Sequence, residues 1–536
     1  MWFMPIWPGA VLMGKAVAQK VYTNGTCRTS KLPARITTYW SSHLNFTPRT
    51  TRSAVILAFV VLLLQATPLL YTRWVEDENW HGSVGYTLLT EGRLRNPVFP
   101  DADIESHVDT RPPGLPITLA ATAAVLGPGP VQFRIPSVMA GLGLLLAIFL
   151  LGTELLGSGG GAIAALMAAT DTFILLASRT TRQEIFVACF ATLAVWLFFR
   201  ARRTNSTLLM LFSGLAISLS ANFHPNGLAI GFSLGLLMIA EFRFRILQAP
   251  RFWSFAVGSV LLILPFLLWV FLDPLRIRAF HELWGRSSQM TTALLVTYEK
   301  ARYSDFLGMG SSRVPLPIHV PVRLHIVTAI IIAAIILWRS NRKLLVELIV
   351  LMIPSMLLWT TEVNGSSRYF AILAPYITLI LVGGALEFGK NSAGRMRLAM
   401  AALIFIALTQ IAGNAFFIWR WRGADYRSVS AGLRALVPPT AKPYGALTFW
   451  LTFYDRQYFS YNRVPLDYAL AHGAEYLIIN DRVMLYGTGY GDNFYEPLRE
   501  QVNAFAHTHC QLVGVVPNSF YGDLEVYRVS DSSPGR

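Results

Sequence analysis

Apolar runs of about 17 to 22 residues recur along most of this 536-residue chain, each long enough to cross roughly 30 Å of hydrocarbon as a helix. The runs are continuous rather than alternating, so the chain reads as α-helical spans and not as barrel strands. Hydrophobic residues make up 54% of it and charged ones 14%, the balance of a polytopic membrane protein. The formal net charge of +15 does not read as nucleic-acid binding. The bases cluster in short loops between apolar runs, as cytoplasmic loops of membrane proteins do.

Those clusters are Arg49/Arg52, Arg200/Arg202/Arg203, Arg243/Arg245/Arg251, Arg339/Arg342/Lys343 and Lys390/Arg395/Arg397. If all face the cytoplasm, an even number of spans separates each pair. The run at 114–127, bounded by prolines, is roughly 21 Å long as a helix and too short to cross. It is expected to lie in the outer interface. Eleven spans remain, at 53–71, 133–153, 161–178, 184–200, 207–221, 226–241, 253–272, 322–338, 344–360, 369–387 and 398–418. The N-terminus is then cytoplasmic and the C-terminus outside. Residues 1–50 read as a disordered cytoplasmic tail, and 51–420 as the membrane domain, with outer loops at 72–132 and 273–321. Residues 421–536 read as a small extracytoplasmic α/β domain, with a helix at 428–436 and strands at 444–450, 475–480, 511–516 and 524–529. A loop as long as 273–321 is expected to cover a bound substrate.

Polar residues gather at one end of these spans. Asp77 and Glu78 follow the first, Arg111-Pro112-Pro113 lies in the same loop, Arg179, Arg182 and Glu184 form the next outer turn, His224 sits between two short spans, and Arg368 precedes the tenth. Arginine suits phosphate, because its planar fork donates two parallel hydrogen bonds. Outside the cytoplasm nucleotide-activated substrates are absent, and the chain has no Gly-rich phosphate loop. An activated group must arrive on a lipid, and a polyprenyl-phosphate sugar fits: its leaving group is already a stable anion and needs no general acid. One carboxylate for the acceptor's proton, plus cations on the phosphate, is enough. A glycosidase would instead need two opposed carboxyl groups.

The order Asp77-Glu78, Arg111-Pro-Pro-Gly-Leu, Phe133-Arg134-Ile-Pro-Ser, Ser178-Arg179 to Glu184, the 222–227 turn and Ser367-Arg368-Tyr369 resembles the membrane-embedded GT-C glycosyltransferases. It is most similar to the branch with protein O-mannosyltransferases and lipid A aminoarabinose transferases. The resemblance covers about residues 50 to 420, and the outer C-terminal domain suits bacterial members, whose place is the inner membrane. It implies Asp77 as catalytic base with Glu78 beside it, Arg111 on the lipid phosphate in place of a family lysine, and Glu184 as the second-loop acid. His224 takes the place of a basic residue between the fifth and sixth spans, and Arg179, Arg182 and Arg368 complete the donor phosphate set.

The sugar is not specified, and the acceptor is left open between a protein, a glycolipid and a cell-wall polymer. Metal dependence is open too: the acids at 77, 78 and 184 suit a divalent ion, but no His/Cys ligand spacing accompanies them. The competing function is a multispan transporter or flippase of a lipid-linked substrate, for which the short broken pair at 207–241 speaks. Asp171, near the outer end of the third span, has no assigned role. Trp74, Trp80, Trp284, Trp359 and Trp419 read as interfacial belt residues.

Overall fold

Helices form at every one of the eleven apolar runs. The computed structural model describes residues 47–72, 74–99, 104–284, 319–359, 369–461, 464–480 and 496–530. The expected N-terminal tail, most of the loop at 273–321, and Arg368 lie outside these. The first long apolar helix, α1 (Pro48–Ala66), is followed by α2 (Glu76–Glu91), α3 (Ile104–His107) and α4 (Gly114–Leu126). The bundle continues with α5 (Pro130–Thr170), α6 (Thr172–Ser178), α7 (Glu184–Thr204), α8 (Thr207–Phe223), α9 (Asn226–Phe242), α10 (Pro250–Leu261), α11 (Leu264–Phe271) and α12 (Pro274–Trp284). It closes with α13 (His319–Ser340), α14 (Arg342–Trp359), α15 (Phe370–Gly389) and α16 (Ala393–Trp421).

The 41-residue α5 is two helices. Gly157 leaves helical geometry at φ 83°, a backbone region that favours glycine. A Cβ added at Gly152 would lie 2.8 Å from the Cα of Gly161, and one at Gly141 would lie 2.3 Å from Ser178 Oγ. Those pairings mean that the chain folds back on itself at Gly157, so the spans expected at 133–153 and 161–178 are antiparallel neighbours.

The second of them is interrupted again at Asp171. There the unassigned carboxylate caps α6, accepting from the amides of Phe173 (2.9 Å) and Ile174 (3.0 Å). The carbonyls exposed by the break are met by side chains: Gln65 Nε2 donates to Ala169 O at 3.1 Å and Asn414 Nδ2 to Thr170 O at 2.9 Å. Asn414 also donates to Gln65 Oε1 at 2.7 Å. Inside hydrocarbon an unmet carbonyl costs several kcal/mol, so this amide pair ties α1 and α16 to the broken span.

Among the described residues, seven helices are long and apolar enough to cross a membrane on their own, and the pair α10 and α11, bent by 53°, makes an eighth if taken as one span. The chain is an integral, multi-pass membrane protein. The difference from eleven has local causes. The two halves of α5 run together, α8 has 17 residues, and α14 opens on Arg342, Lys343 and Glu347. The short run at 114–127 forms α4, a 13-residue helix packed on α2 and α8.

The C-terminal part holds α17 (Tyr426–Leu436), β1 (Pro443–Gly445), a 3-10 segment Leu447–Phe453, β2 (Phe459–Ser460), α18 (Leu466–Ala471) and β3 (Tyr476–Ile479), then α19 (Glu496–His509), β4 (Cys510–Val516) and β5 (Leu524–Val529). The sheet order is β2-β1-β3-β5-β4, with β1 parallel to both its neighbours and β5 antiparallel to both of its own. The strand expected at 444–450 stops at Gly445. The seven residues of Leu447–Phe453 are all buried and wind into a 3-10 segment packed against α2, so the half-exposed alternation of a strand never applies to them.

Candidate active site

The helix α2 carries the first acidic cluster because its start is built for negative charge. Its first three residues are Glu76, Asp77 and Glu78, placed where unpaired amides and the helix dipole favour anions. Glu78 reaches back to accept from the Val75 amide at 3.3 Å. Gly92, at φ 68°, ends the helix.

Asp77 is the open member of the cluster, its side chain 53% exposed. Arg182 Nη1 donates to its carboxylate. The same guanidinium holds Glu184 through Nε at 2.9 Å and Nη2 at 2.8 Å. Arg182 is 11% exposed and Glu184 1%. Burial opposes the arginine's charge, but Asp77 and then Glu184 outweigh it and hold the guanidinium more firmly protonated than usual. The result is a chain of alternating charge, from the buried first residue of α7 to an accessible carboxylate on α2.

Glu78 points the other way, inward. It has no exposed surface and pairs with the equally buried Arg134 at 2.5 and 2.7 Å. The amide of Thr181 adds a third bond at 2.8 Å. Burial alone would raise its pKa, yet Arg134, Arg179 and the Thr181 amide together hold it below the ordinary carboxylate range. Arg134 also donates to the carbonyls of Leu69 (2.8 Å) and Thr72 (2.7 Å). Arg179, 4% exposed, stacks 4.6 Å over Trp421 and donates to Thr72 O at 3.3 Å. Glu78, expected to be catalytic, and Arg179, expected on the donor phosphate, therefore lie in the support of the site and not on its surface. Trp74, expected in an interfacial belt, is likewise fully buried beside Phe133 and Tyr426. Trp419 is 54% exposed, and the side chains of Trp284 and Trp359 lie outside the described residues.

Arg111 enters from the first loop. Asp109 accepts from its backbone amide at 2.9 Å and from Nη1 at 2.7 Å, and the guanidinium lies 4.4 Å over the Trp80 ring. At Gly114, three residues on, a Cβ would sit 2.5 Å from the carbonyl oxygen of Asn222. Only glycine allows that approach, and it brings the Arg-Pro-Pro-Gly turn against the turn that holds His224.

Two half-buried histidines complete the group. His81, one helical turn from Asp77 and on the same face of α2, has its pKa pushed down to about 4, by burial first and then by Arg182 and Arg111, against the pull of Asp77 and Glu184. His224 is likewise pushed down to about 4 by burial, with Glu184 opposing and Arg182 and Arg111 adding to the depression. Its Nδ1 accepts from the Asn226 amide at 3.3 Å and its ring centroid lies 5.8 Å from that of Tyr369. Both rings are neutral at pH 7.

The fold thus gathers Asp77, Arg182, Glu184, Arg111 and His224 at one end of the bundle, and seats Glu78 and Arg179 behind them. No site role was assigned from the sequence to His81, Asp109, Arg134 or Tyr369, although Arg134 and Tyr369 stand in the motifs that carry the resemblance. The four-residue spacing from Asp77 to His81 was the available signal for the first, and the two-residue spacing to Arg111 for Asp109; Arg134 meets Glu78, and Tyr369 meets His224, only in space. Among the described residues, no three His, Cys, Asp or Glu side chains stand together as metal ligands. Asp77 and Glu184 meet through an arginine.

Residues 110–269 match the family model of dolichyl-phosphate-mannose-protein mannosyltransferase. No curated protein matches the chain. Among solved structures, ArnT from Cupriavidus metallidurans bound to undecaprenyl phosphate is similar over 90% of this chain and 99% of its own, with a TM-score of 0.64 at 12% identity. Archaeoglobus fulgidus oligosaccharyltransferase tethered to an acceptor peptide aligns over 82% of this chain and 70% of its own (TM-score 0.53, 12% identity). Arabinofuranosyltransferase AftD from Mycobacteria aligns over 92% of this chain and 40% of its own (TM-score 0.51, 13% identity). The GT-C resemblance read from the motifs is borne out, and the fold is the GT-C membrane fold with a small C-terminal sheet domain.

Proposed function

We propose that this chain is a glycosyltransferase that moves a sugar from a polyprenyl-phosphate donor to an acceptor O–H on the extracytoplasmic side of a bacterial inner membrane, by one inverting displacement. The observation that carries this reading is the exposed Asp77 carboxylate, held by Arg182 from the buried Glu184, with Arg111 and two neutral histidines around the same space.

In the reaction Asp77 takes the acceptor's proton while the acceptor oxygen bonds the anomeric carbon. The bond from that carbon to the phosphate oxygen breaks, and its electron pair leaves with the lipid phosphate, which gains one negative charge. Arg111, oriented by Asp109 and Trp80, and Arg182 are the cations positioned to receive that charge. Arg368, outside the described residues, is proposed to join them. The ArnT structure holds undecaprenyl phosphate in a fold of this kind, which supports a lipid-phosphate donor here. The N-terminus is then cytoplasmic and the C-terminal sheet domain outside, on the side of Asp77.

A coupled transporter would need ionisable groups paired near the bilayer midplane. Asp77, Glu184, Arg111 and Arg182 instead sit at helix starts and turns of one end. The deciding assay offers purified protein radiolabelled polyprenyl-phosphate sugars and compares wild type with Asp77→Asn. Transfer by wild type and its loss in Asp77→Asn is the expected result; equal turnover removes Asp77 as base.

A further inference from the structure

We infer that Asn79 is a positioning residue, through which the C-terminal sheet domain holds the first turn of α2, and with it Asp77, in place against Arg182. This rests on the glycosyltransferase reading of the same site.

The helix α2 has two working faces. Asp77 and His81, four apart, look into the charged cluster. Asn79, Gly82 and Tyr86, spaced three and four apart, form the back. Along that back lies the 3-10 segment Leu447–Phe453. Trp450 comes within 3.5 Å of where a Cβ on Gly82 would be, and the Tyr86 ring meets those of Trp450 and Tyr454 at 6.1 and 5.3 Å.

Asn79 supplies the polar join. It has no exposed surface. Its Nδ2 donates to Thr448 O at 2.8 Å, and its Oδ1 accepts from the Leu451 amide at 3.1 Å. Those are a carbonyl and an amide three residues apart, the two groups a 3-10 turn pairs with one another. The carboxamide is therefore inserted into the turn of the sheet domain, satisfying both ends from α2. An aspartate could not donate to Thr448, and an alanine would leave both backbone groups buried without this partner.

The approach to Asp77 is tied to the same domain. Tyr426 N donates to Tyr71 O at 3.0 Å, Tyr521 OH donates to Trp74 O at 3.0 Å, and Tyr426 OH donates to the Thr448 carbonyl at 3.1 Å. Tyr71, Trp74 and Asn79 are thus held from the sheet domain on one side, while Arg134, Arg179 and the Thr181 amide hold Glu78 from the other. Asp77 sits between the two sets of holds, so its aim at Arg182 depends on both.

The test uses the full-length protein in detergent, with Asn79→Ala and Tyr521→Phe as separate variants. Hydrogen exchange is followed in peptides covering 76–83, and kcat and donor KM are measured with a polyprenyl-phosphate sugar. The expected result for Asn79→Ala is amide exchange in 76–83 faster by about tenfold, kcat lower by about tenfold or more, and donor KM within about threefold of wild type. Tyr521→Phe follows in the same direction with smaller changes, and decides the matter alone if Asn79→Ala does not fold. Unchanged exchange, or wild-type kcat despite faster exchange, overturns the inference, as does a rise in KM with kcat preserved. If wild type transfers no sugar from any lipid donor, the functional reading fails by itself. Exchange then decides the clamp: faster exchange keeps it and unchanged exchange overturns it.

Discussion

Glu78 and Arg134 face each other through two parallel contacts of 2.5 and 2.7 Å with no surface of either exposed. Neighbouring residues of α2 are thus divided between two tasks, Asp77 open to the site and Glu78 closed inside the fold. Breaking a buried ion pair on one side strands a charge, which costs about 3–5 kcal/mol. Glu78→Gln and Arg134→Met are each expected to lower thermal stability in detergent by that order. The double variant should lose less than the sum of the two, and a double-mutant cycle on unfolding midpoints checks the coupling.

Asp77 is the group with no structural debt of that size, since its side chain is more than half exposed. Asp77→Asn keeps the shape and removes the base. Turnover is expected to fall by about 10²–10⁴, with donor-lipid binding retained and the melting temperature close to wild type. Single-turnover kinetics alongside a donor-binding titration separate the two effects.

Arg111 is held by Asp109 and stacked on Trp80, so its fork, and not only its charge, is aimed. Arg111→Lys retains a cation without the fork and is expected to raise donor KM by about tenfold. Arg111→Gln, which loses the charge as well, should raise it further. A ranking with Gln at or better than Lys would remove this arginine from the phosphate.

The two histidines give a pH signature. In the fold both titrate near 4, against an unfolded value of 6.5. Between those values the unfolded chain binds more protons, so stability rises with pH across the window and is lost as pH falls from about 6.5 to 4. Each shift corresponds to about 3 kcal/mol. Glu78, held low, acts in a lower window: its contribution is present above about 4.5 and is lost only as pH falls further. Unfolding midpoints from pH 7.5 to 4.5 should decline for wild type and decline less for His81→Gln and His224→Gln. Parallel slopes in all three would contradict the assignment.

Helix positions were legible along the chain because hydrocarbon leaves a chain no alternative: a run of sufficient length and apolarity must satisfy its own backbone. Local chemistry was harder. The segment Leu447–Phe453 was expected to begin as a strand and is a 3-10 segment, buried along its whole length against α2, where Asn79, more than 360 residues earlier in the chain, bonds Thr448 O and the Leu451 amide. Asp171 carried no legible role until the break it caps was seen between α5 and α6.

Read by itself, the chain determined its membrane class, its helices, the C-terminal strands β3 to β5 and the acids and arginines to watch, since apolar length and charge placement act locally. Tertiary structure decided which charges face solvent and which are sealed. Asp77 and Glu78 are adjacent and chemically alike, and only the distant Arg134 of α5 and Thr181 and Arg182 of the turn between α6 and α7 make one accessible and the other structural. The energy of a charge depends on what surrounds it in space, and spacing along the chain does not contain that information.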